Sequence, residues 1–174
     1  MKTVFLFLLI AVLFTTNTSF KSTAIGSNDY HIVIEKHKYE LTVFDADDNA
    51  LIIYPVVFGS RDLGDKMMQG DRKTPEGTFH IIAKRKHAKW NKFLALDYPN
   101  AESIEKFNER KAEGIIPANA RIGGEIGIHG TWPHEDFAVD QYQNWTMGCV
   151  STKNQYINQL FNTLAVGTTV IIKR

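Results

Sequence analysis

The chain has very little cysteine, since Cys149 is the single one among 174 residues. A single cysteine cannot form an internal disulfide, so Cys149 is either a buried small side chain or one kept for its reactivity. An excess of charge of one sign is also missing, because 20 basic residues stand against 19 acidic ones. This balance gives no electrostatic footprint for nucleic acid or for an anionic membrane surface.

Long hydrophobic runs are missing as well. The apolar run over residues 4–14 has eleven residues, and a membrane-spanning helix needs about 20. Lys2 precedes this run, polar residues follow it, and a triplet of small residues ends at Ala24. This pattern predicts a secretory signal peptide over residues 1–24, and hence export to the periplasm or cell envelope. Its removal would leave 18 basic and 19 acidic residues and no transmembrane segment.

The remaining chain is predicted to be one domain, residues 30–174, rich in β-structure. Apolar residues alternate over residues 31–35, 39–44, 78–83 and 168–173, which is typical of strands with one buried face. An apolar run over residues 51–58 predicts a further strand. Helical spacing occurs over residues 101–112 and 153–164. The expected fold class is therefore mainly β, a β-rich α+β arrangement with a few short helices. The basic run at residues 84–87 is interpreted as a solvated face.

Residues 126–151, IGIHGTWPHEDFAVDQYQNWTMGCVS, hold the residues best suited to chemistry. His129 would end a short strand, and Cys149 would lie just before a helix N-terminus that Ser151 or Thr152 caps. An imidazole and a helix N-terminus both favour the thiolate, which is the reactive form of cysteine. The amides around Gly148 and Cys149 would bind a developing oxyanion. The alternative is a buried cysteine and an ordinary histidine without chemistry.

Other chemistry has less support in the sequence. His134, Glu135 and Asp136 lie near His129, but the helical His-Glu-x-x-His spacing is absent and Pro133 interrupts the loop. A metal site is therefore not expected. The Gly-x-Ser-x-Gly elbow of serine hydrolases is also missing. Aromatic side chains between the histidine and the cysteine are predicted to form a pocket wall, namely Trp132 and Trp145.

The sequence carries two signatures of a known family. Sixteen residues separate His129 from the run Thr146, Met147, Gly148, Cys149, Val150 and Ser151. A glycine-bearing connection also leads into the pattern formed by Thr74, Pro75, Gly77, Phe79 and Ile81. Together they resemble the L,D-transpeptidase catalytic domain, the YkuD-like family. Two positions depart from the family pattern. Met147 replaces a motif histidine and Ser151 replaces Asn or Arg, so both are predicted to alter the substrate pocket.

The resemblance implies a YkuD-like mixed β-sandwich and a cysteine acyltransferase that acts on peptidoglycan stem peptides. It assigns the nucleophile to Cys149 and the general base to His129. The Gly130 carbonyl would hold the second ring nitrogen of that histidine, with Thr146 and Gly148 supporting the oxyanion region. No cofactor is implied, and a monomer is expected.

Two alternatives to transpeptidation stay open at this point. If water replaces the amine acceptor, the same acyl-enzyme gives an L,D-carboxypeptidase or an endopeptidase. A non-catalytic wall-binding protein could keep the fold without turnover. The retained set of His129, Gly148 and Cys149 argues against this second alternative.

Overall fold

The alternation of apolar residues produces a β-rich fold in the computed structural model, which describes residues 30–174. The predicted signal peptide, residues 1–24, lies outside these described residues. The strands and helices follow in chain order as β1 (Tyr30–Glu35), β2 (Glu40–Asp45), β3 (Ala50–Pro55), β4 (Gly77–His87), β5 (Asn91–Leu96), α1 (Ala101–Ala112), β6 (Gly127–His129), α2 (Phe137–Asp140), β7 (Val150–Ser151), α3 (Asn154–Thr163) and β8 (Thr169–Lys173). A short 3₁₀ turn, Lys36–Lys38, connects β1 to β2.

The strands form one mixed sheet in the order β3-β2-β1-β8-β4-β5-β6-β7. The pairs β1–β8 and β6–β7 are parallel, and the other pairs are antiparallel. Strand β4 joins the two halves because its first residues pair with β8 and its later residues pair with β5. A register shift between Ile81 and Ala83 marks the change of partner. Such an irregularity bends a strand, and the sheet is curled. The predicted fold class is confirmed.

The core lies between the curled sheet and helix α3. Ile32 and Ile34 of β1 are fully buried, as expected for alternate residues on one face of a strand. Helix α3 packs on β5 and contributes Ile157 and Leu160, which are three residues apart and face the same side. Each such side chain contributes about 1.5–3 kcal/mol when it leaves water. The sheet around the site is therefore held firmly in place.

Several local predictions need correction. The strand expected over residues 51–58 ends at Pro55. The next residues remain buried, and Val57 exchanges backbone hydrogen bonds with Ser151 at 2.8 and 2.9 Å. The cap of α3 is Lys153, which makes no side-chain cap bond. Ser151, an expected cap, belongs to β7 instead. The first helical amide, of Asn154, donates to the Asp136 carboxylate at 2.9 Å.

None of the helices within residues 30–174 combines the length and the apolar content needed to cross a membrane.

Candidate active site

Four neighbouring strands place one row of side chains across the sheet. Arg85 of β4 pairs with Phe93 of β5, Phe93 pairs with His129 of β6, and His129 pairs with Ser151 of β7. Residues that pair across strands project from the same face. The rings of Phe93 and His129 accordingly stack, with their centroids 5.8 Å apart and their planes 8° from parallel. The row brings residues from distant parts of the chain to one site.

The imidazole of His129 is held by the residue that follows it. Its Nδ1 lies 2.7 Å from the Gly130 carbonyl oxygen. A carbonyl oxygen only accepts, so Nδ1 carries the proton of the neutral ring and Nε2 remains an acceptor. The Ser151 hydroxyl donates to the same oxygen at 3.3 Å, and the Gly130 amide donates to the Trp90 carbonyl at 3.1 Å. These contacts fix the tautomer that a general base requires.

Three aromatic rings enclose the imidazole. Trp90 stacks on His129 with centroids 4.5 Å apart, Phe93 stacks on it, and Trp145 meets it edge-on at 5.4 Å. His129 is only 1% exposed as a result. Burial withholds water from the imidazolium and lowers the pKa of His129 to about 4, although the bond to the Gly130 carbonyl favours the charged form. The ring is therefore neutral at neutral pH.

This burial predicts a loss of stability in acid. The unfolded histidine takes up a proton near its ordinary pKa of about 6.5, whereas folded His129 resists protonation down to a pKa of about 4. The unfolded state thus binds more protons between these values, so the free energy of unfolding falls as the pH drops through that window. Urea unfolding at pH 7 and pH 4.5 should show a drop about 2–3 kcal/mol larger in the native protein than in His129→Gln. Equal drops in both proteins would contradict the lowered pKa of His129 in the folded state.

Cys149 lies immediately before β7 and is half-buried. Its thiol donates to the Glu125 carbonyl oxygen at 3.3 Å. Burial raises the pKa of Cys149 to about 11, and a hydrogen bond from the Gly127 amide offsets only part of this rise. Strand β7 separates Cys149 from α3, and the first helical amide, that of Asn154, already donates to the Asp136 carboxylate. The N-terminus of α3 therefore does not stabilise the Cys149 thiolate. A separate base is needed to activate this sulfur.

Thr146 secures the backbone on both sides of the nucleophile. Its hydroxyl donates to the Cys149 carbonyl at 2.7 Å and accepts from the Gly148 amide at 3.2 Å. The Gly148 amide, predicted as an oxyanion donor, is therefore engaged within its own turn. The Cys149 amide makes no hydrogen bond to any part of residues 30–174. Of the two amides predicted to bind an oxyanion, those of Gly148 and Cys149, the Cys149 amide is the one available to a substrate oxygen.

The loop before Thr146 is tied to the start of the glycine-bearing connection, residues 59–77. The Asn144 side chain accepts from the Phe58 amide at 2.8 Å and donates to the Ser60 carbonyl at 2.8 Å. The Trp145 amide donates to the Phe58 carbonyl at 2.8 Å. Further along the connection, Arg72 donates through Nε to the Thr146 carbonyl at 3.2 Å. These bonds hold Trp145 against His129 and connect the two sequence signatures in space.

One cavity of about 380 Å³ contains both reactive side chains. Its lining includes Cys149 and His129, with Trp145, Thr146 and Met147 from the intervening loop. Met147 lies at the mouth, since its side chain is 69% exposed. Residues that the sequence did not assign to a pocket complete the wall, namely Arg85, His87, Trp90, Phe93, Gly124, Glu125 and Ile126.

Two predicted pocket residues are not part of this cavity's lining. Ser151 is fully buried on β7, where its hydroxyl supports the Gly130 carbonyl. Trp132 meets Trp90 edge-on at a centroid distance of 6.5 Å, and Lys89 lies over its ring. Ser151 and Trp132 thus lie outside this lining, and their assignment to the substrate pocket stays a prediction. The basic run at residues 84–87 is solvated as predicted at Arg85 and Lys86, which are exposed, and Arg85 and His87 also line the cavity.

Within the described range 30–174, His, Cys, Asp and Glu side chains do not form any group of three that could hold a metal ion.

Comparison with known proteins identifies the family. The sequence profile of the L,D-transpeptidase catalytic domain (YkuD) matches residues 29–172. The chain belongs to this family. A relative, the putative L,D-transpeptidase YqjB of Bacillus subtilis (strain 168), is 28% identical over 145 residues, which cover 83% of this chain and 71% of the relative.

Several solved structures share the fold. The helical cell shape determining protein Pgp2 from Campylobacter jejuni superposes with a TM-score of 0.61 at 22% identity, over 83% of this chain and 47% of that protein. The L,D-transpeptidase from Mycobacterium smegmatis superposes with a TM-score of 0.51 at 17% identity, over 84% and 59%. The chain spans about half the length of such solved structures, as it does for Bd1075 of Bdellovibrio bacteriovorus, of which it covers 48%.

Proposed function

We propose that this L,D-transpeptidase domain is an acyltransferase that cross-links or remodels peptidoglycan through a Cys149 thioester. Membership of the family supports the reaction class and the stem-peptide substrate. The observation that carries the assignment of residues is the cavity that Cys149 and His129 share. The neutral histidine, with Nε2 as its acceptor, provides the base that a thiol with a raised pKa requires.

Acylation begins with both groups neutral. Nε2 of His129 takes the thiol proton as Sγ of Cys149 attacks the carbonyl carbon of the L-centre that precedes a D-residue. The S–C bond forms, the carbonyl π-electrons move to oxygen, and the Cys149 amide donates to that oxyanion. As the tetrahedral species collapses, the C–N bond breaks and the imidazolium returns its proton to the leaving amine. The products are the thioester and the free D-residue.

Deacylation reverses the roles with a new nucleophile. An amine of a second stem peptide attacks the thioester, His129 accepts its proton, and the proton returns to the departing sulfur. The amide cross-link forms as the S–C bond breaks. Water in place of the amine gives a carboxypeptidase by the same steps. The cavity wall is mainly aromatic around His129, and exclusion of bulk water by such a wall favours the amine.

The substrate places the protein at the cell envelope. Peptidoglycan lies outside the cytoplasm, and the pattern of residues 1–24 is that of an export signal. We propose that this segment directs export and that residues 30–174 act on the wall.

The function is tested with purified disaccharide-tetrapeptides and mass spectrometry of the products. The native protein should yield cross-linked dimers, and an added D-amino acid should replace the terminal residue. Cys149→Ala, the matched control, should yield neither. Formation of the tripeptide alone would favour the carboxypeptidase. Absence of any product that depends on Cys149 would favour the wall-binding protein.

A further inference from the structure

The cavity contains a cationic side chain that has no part in the proposed acylation and deacylation steps. Among the residues of the described range that line it, Arg85 is the single arginine or lysine. Its guanidinium carbon lies 4.4 Å from the centroid of the Phe93 ring. Phe93 in turn stacks on His129. The cationic group is therefore separated from the general base by one aromatic ring.

The position of this cation corresponds to one side of the substrate. His129 delivers a proton to the leaving amine, so the leaving residue lies on the histidine side of the thiol. A terminal D-residue carries its carboxylate one carbon beyond that amine. The strand row continues from His129 through Phe93 to Arg85, so the guanidinium lines the cavity on this same histidine side.

The guanidinium is available to a new partner. Its side chain is 48% exposed, and its one ion pair within residues 30–174, Nη2 to Glu125 Oε2 at 3.3 Å, involves a carboxylate that is 84% exposed. Exposed pairs of this kind contribute little to stability. A planar guanidinium can bind a carboxylate through two parallel hydrogen bonds. A substrate carboxylate can thus displace Glu125 at small cost.

We infer that Arg85 binds the terminal carboxylate of the leaving residue and so selects stem peptides with a free C-terminus. This inference rests on the proposed function and names its donor specificity. Peptide bonds within a longer stem peptide are poor donors, because their leaving residue has no free carboxylate for Arg85 to bind. In the absence of substrate, the Glu125 carboxylate pairs with the Arg85 guanidinium.

The test compares two donors, a disaccharide-tetrapeptide with a free terminal carboxylate and the same compound ending in a carboxamide. In the native protein kcat/KM should be higher for the acid. Arg85→Gln should lower kcat/KM for the acid about 10- to 100-fold and change that for the amide less than about threefold. Arg85→Lys should restore part of the loss, since it keeps the charge without the bidentate geometry.

Lys86→Gln is the matched control. Lys86 is the next residue of β4 and is exposed, and it pairs with Lys92 rather than Phe93. Successive residues of a strand project to opposite faces, so this variant loses the same charge outside the cavity. It should retain the preference of the native protein for the acid.

Equilibrium binding separates this inference from the proposed function. Calorimetry with Cys149→Ala should show tighter binding of the acid than of the amide, and addition of Arg85→Gln should remove the difference. If that preference appears without turnover by the native protein, the inference stands and the proposed function fails. Equal binding of the two peptides, a preference that survives Arg85→Gln, or binding of neither peptide overturns the inference.

Discussion

Replacement of His129 by glutamine is expected to lower the rate of Cys149 acylation by about 10²–10⁴-fold at pH 7. Burial raises the pKa of the thiol to about 11, so without a base only about one sulfur in ten thousand is a thiolate at that pH. The variant should depend on this small fraction. Its rate should therefore rise about tenfold for each pH unit up to about pH 10. Single-turnover acylation by a tetrapeptide, followed by mass spectrometry, measures both effects.

The native protein should have a different pH profile. Because the pKa of His129 is lowered to about 4, the base is unprotonated from about pH 5 upward, and the rate should be flat from there to about pH 10. Protonation of the ring should remove activity below about pH 4. His134→Asn is the control, since His134 is exposed and has a left-handed backbone that asparagine tolerates. An inflection near pH 6.5 in the native protein, or equal losses in both variants, would refute the role of His129.

Gly148→Ala is expected to have the second large effect. Gly148 has φ of +127°, and a Cβ at this position would lie 2.8 Å from the Lys73 carbonyl oxygen. The backbone must shift, which should reduce the free energy of unfolding by about 1–3 kcal/mol. The shift also moves the Cys149 sulfur and amide relative to His129. A misplacement on the order of 1 Å can cost about 10²-fold in rate, so turnover should fall by about this factor. Urea unfolding and muropeptide turnover measure the two consequences.

Gly114→Ala separates strain from displacement at the site. Gly114 also has a positive φ, of +72°, but no atom lies within 4 Å of its added Cβ. This variant should lose about 1 kcal/mol of stability and keep its turnover. If Gly148→Ala behaves in the same way, the contact with Lys73 does not determine the position of the nucleophile.

The sequence alone determined the family, the fold class and most of the longer elements. Helix α1 was predicted with its bounds, because helical spacing is a local feature. Its N-cap is Asn100, whose side chain accepts from the Ser103 amide at 3.0 Å. The motif that contains Cys149 is also local, and its spacing from His129 can be counted along the chain. The assignment of catalytic roles to these two residues stays a proposal.

Tertiary structure decided what surrounds these two residues. Trp90, Phe93 and Arg85 carry no local signal of a site, and they reach His129 only through the register of β4, β5 and β6. The lowered pKa of His129 follows from its burial among these rings. The Thr146 hydroxyl engages the Gly148 amide and so leaves the Cys149 amide to bind the oxyanion. Short elements such as β7 and α2 leave too few residues for a periodic pattern. Sequence periodicity indicates which face of a strand or helix is buried. The site depends instead on which residues of neighbouring strands lie side by side, and the register of strand pairing determines this.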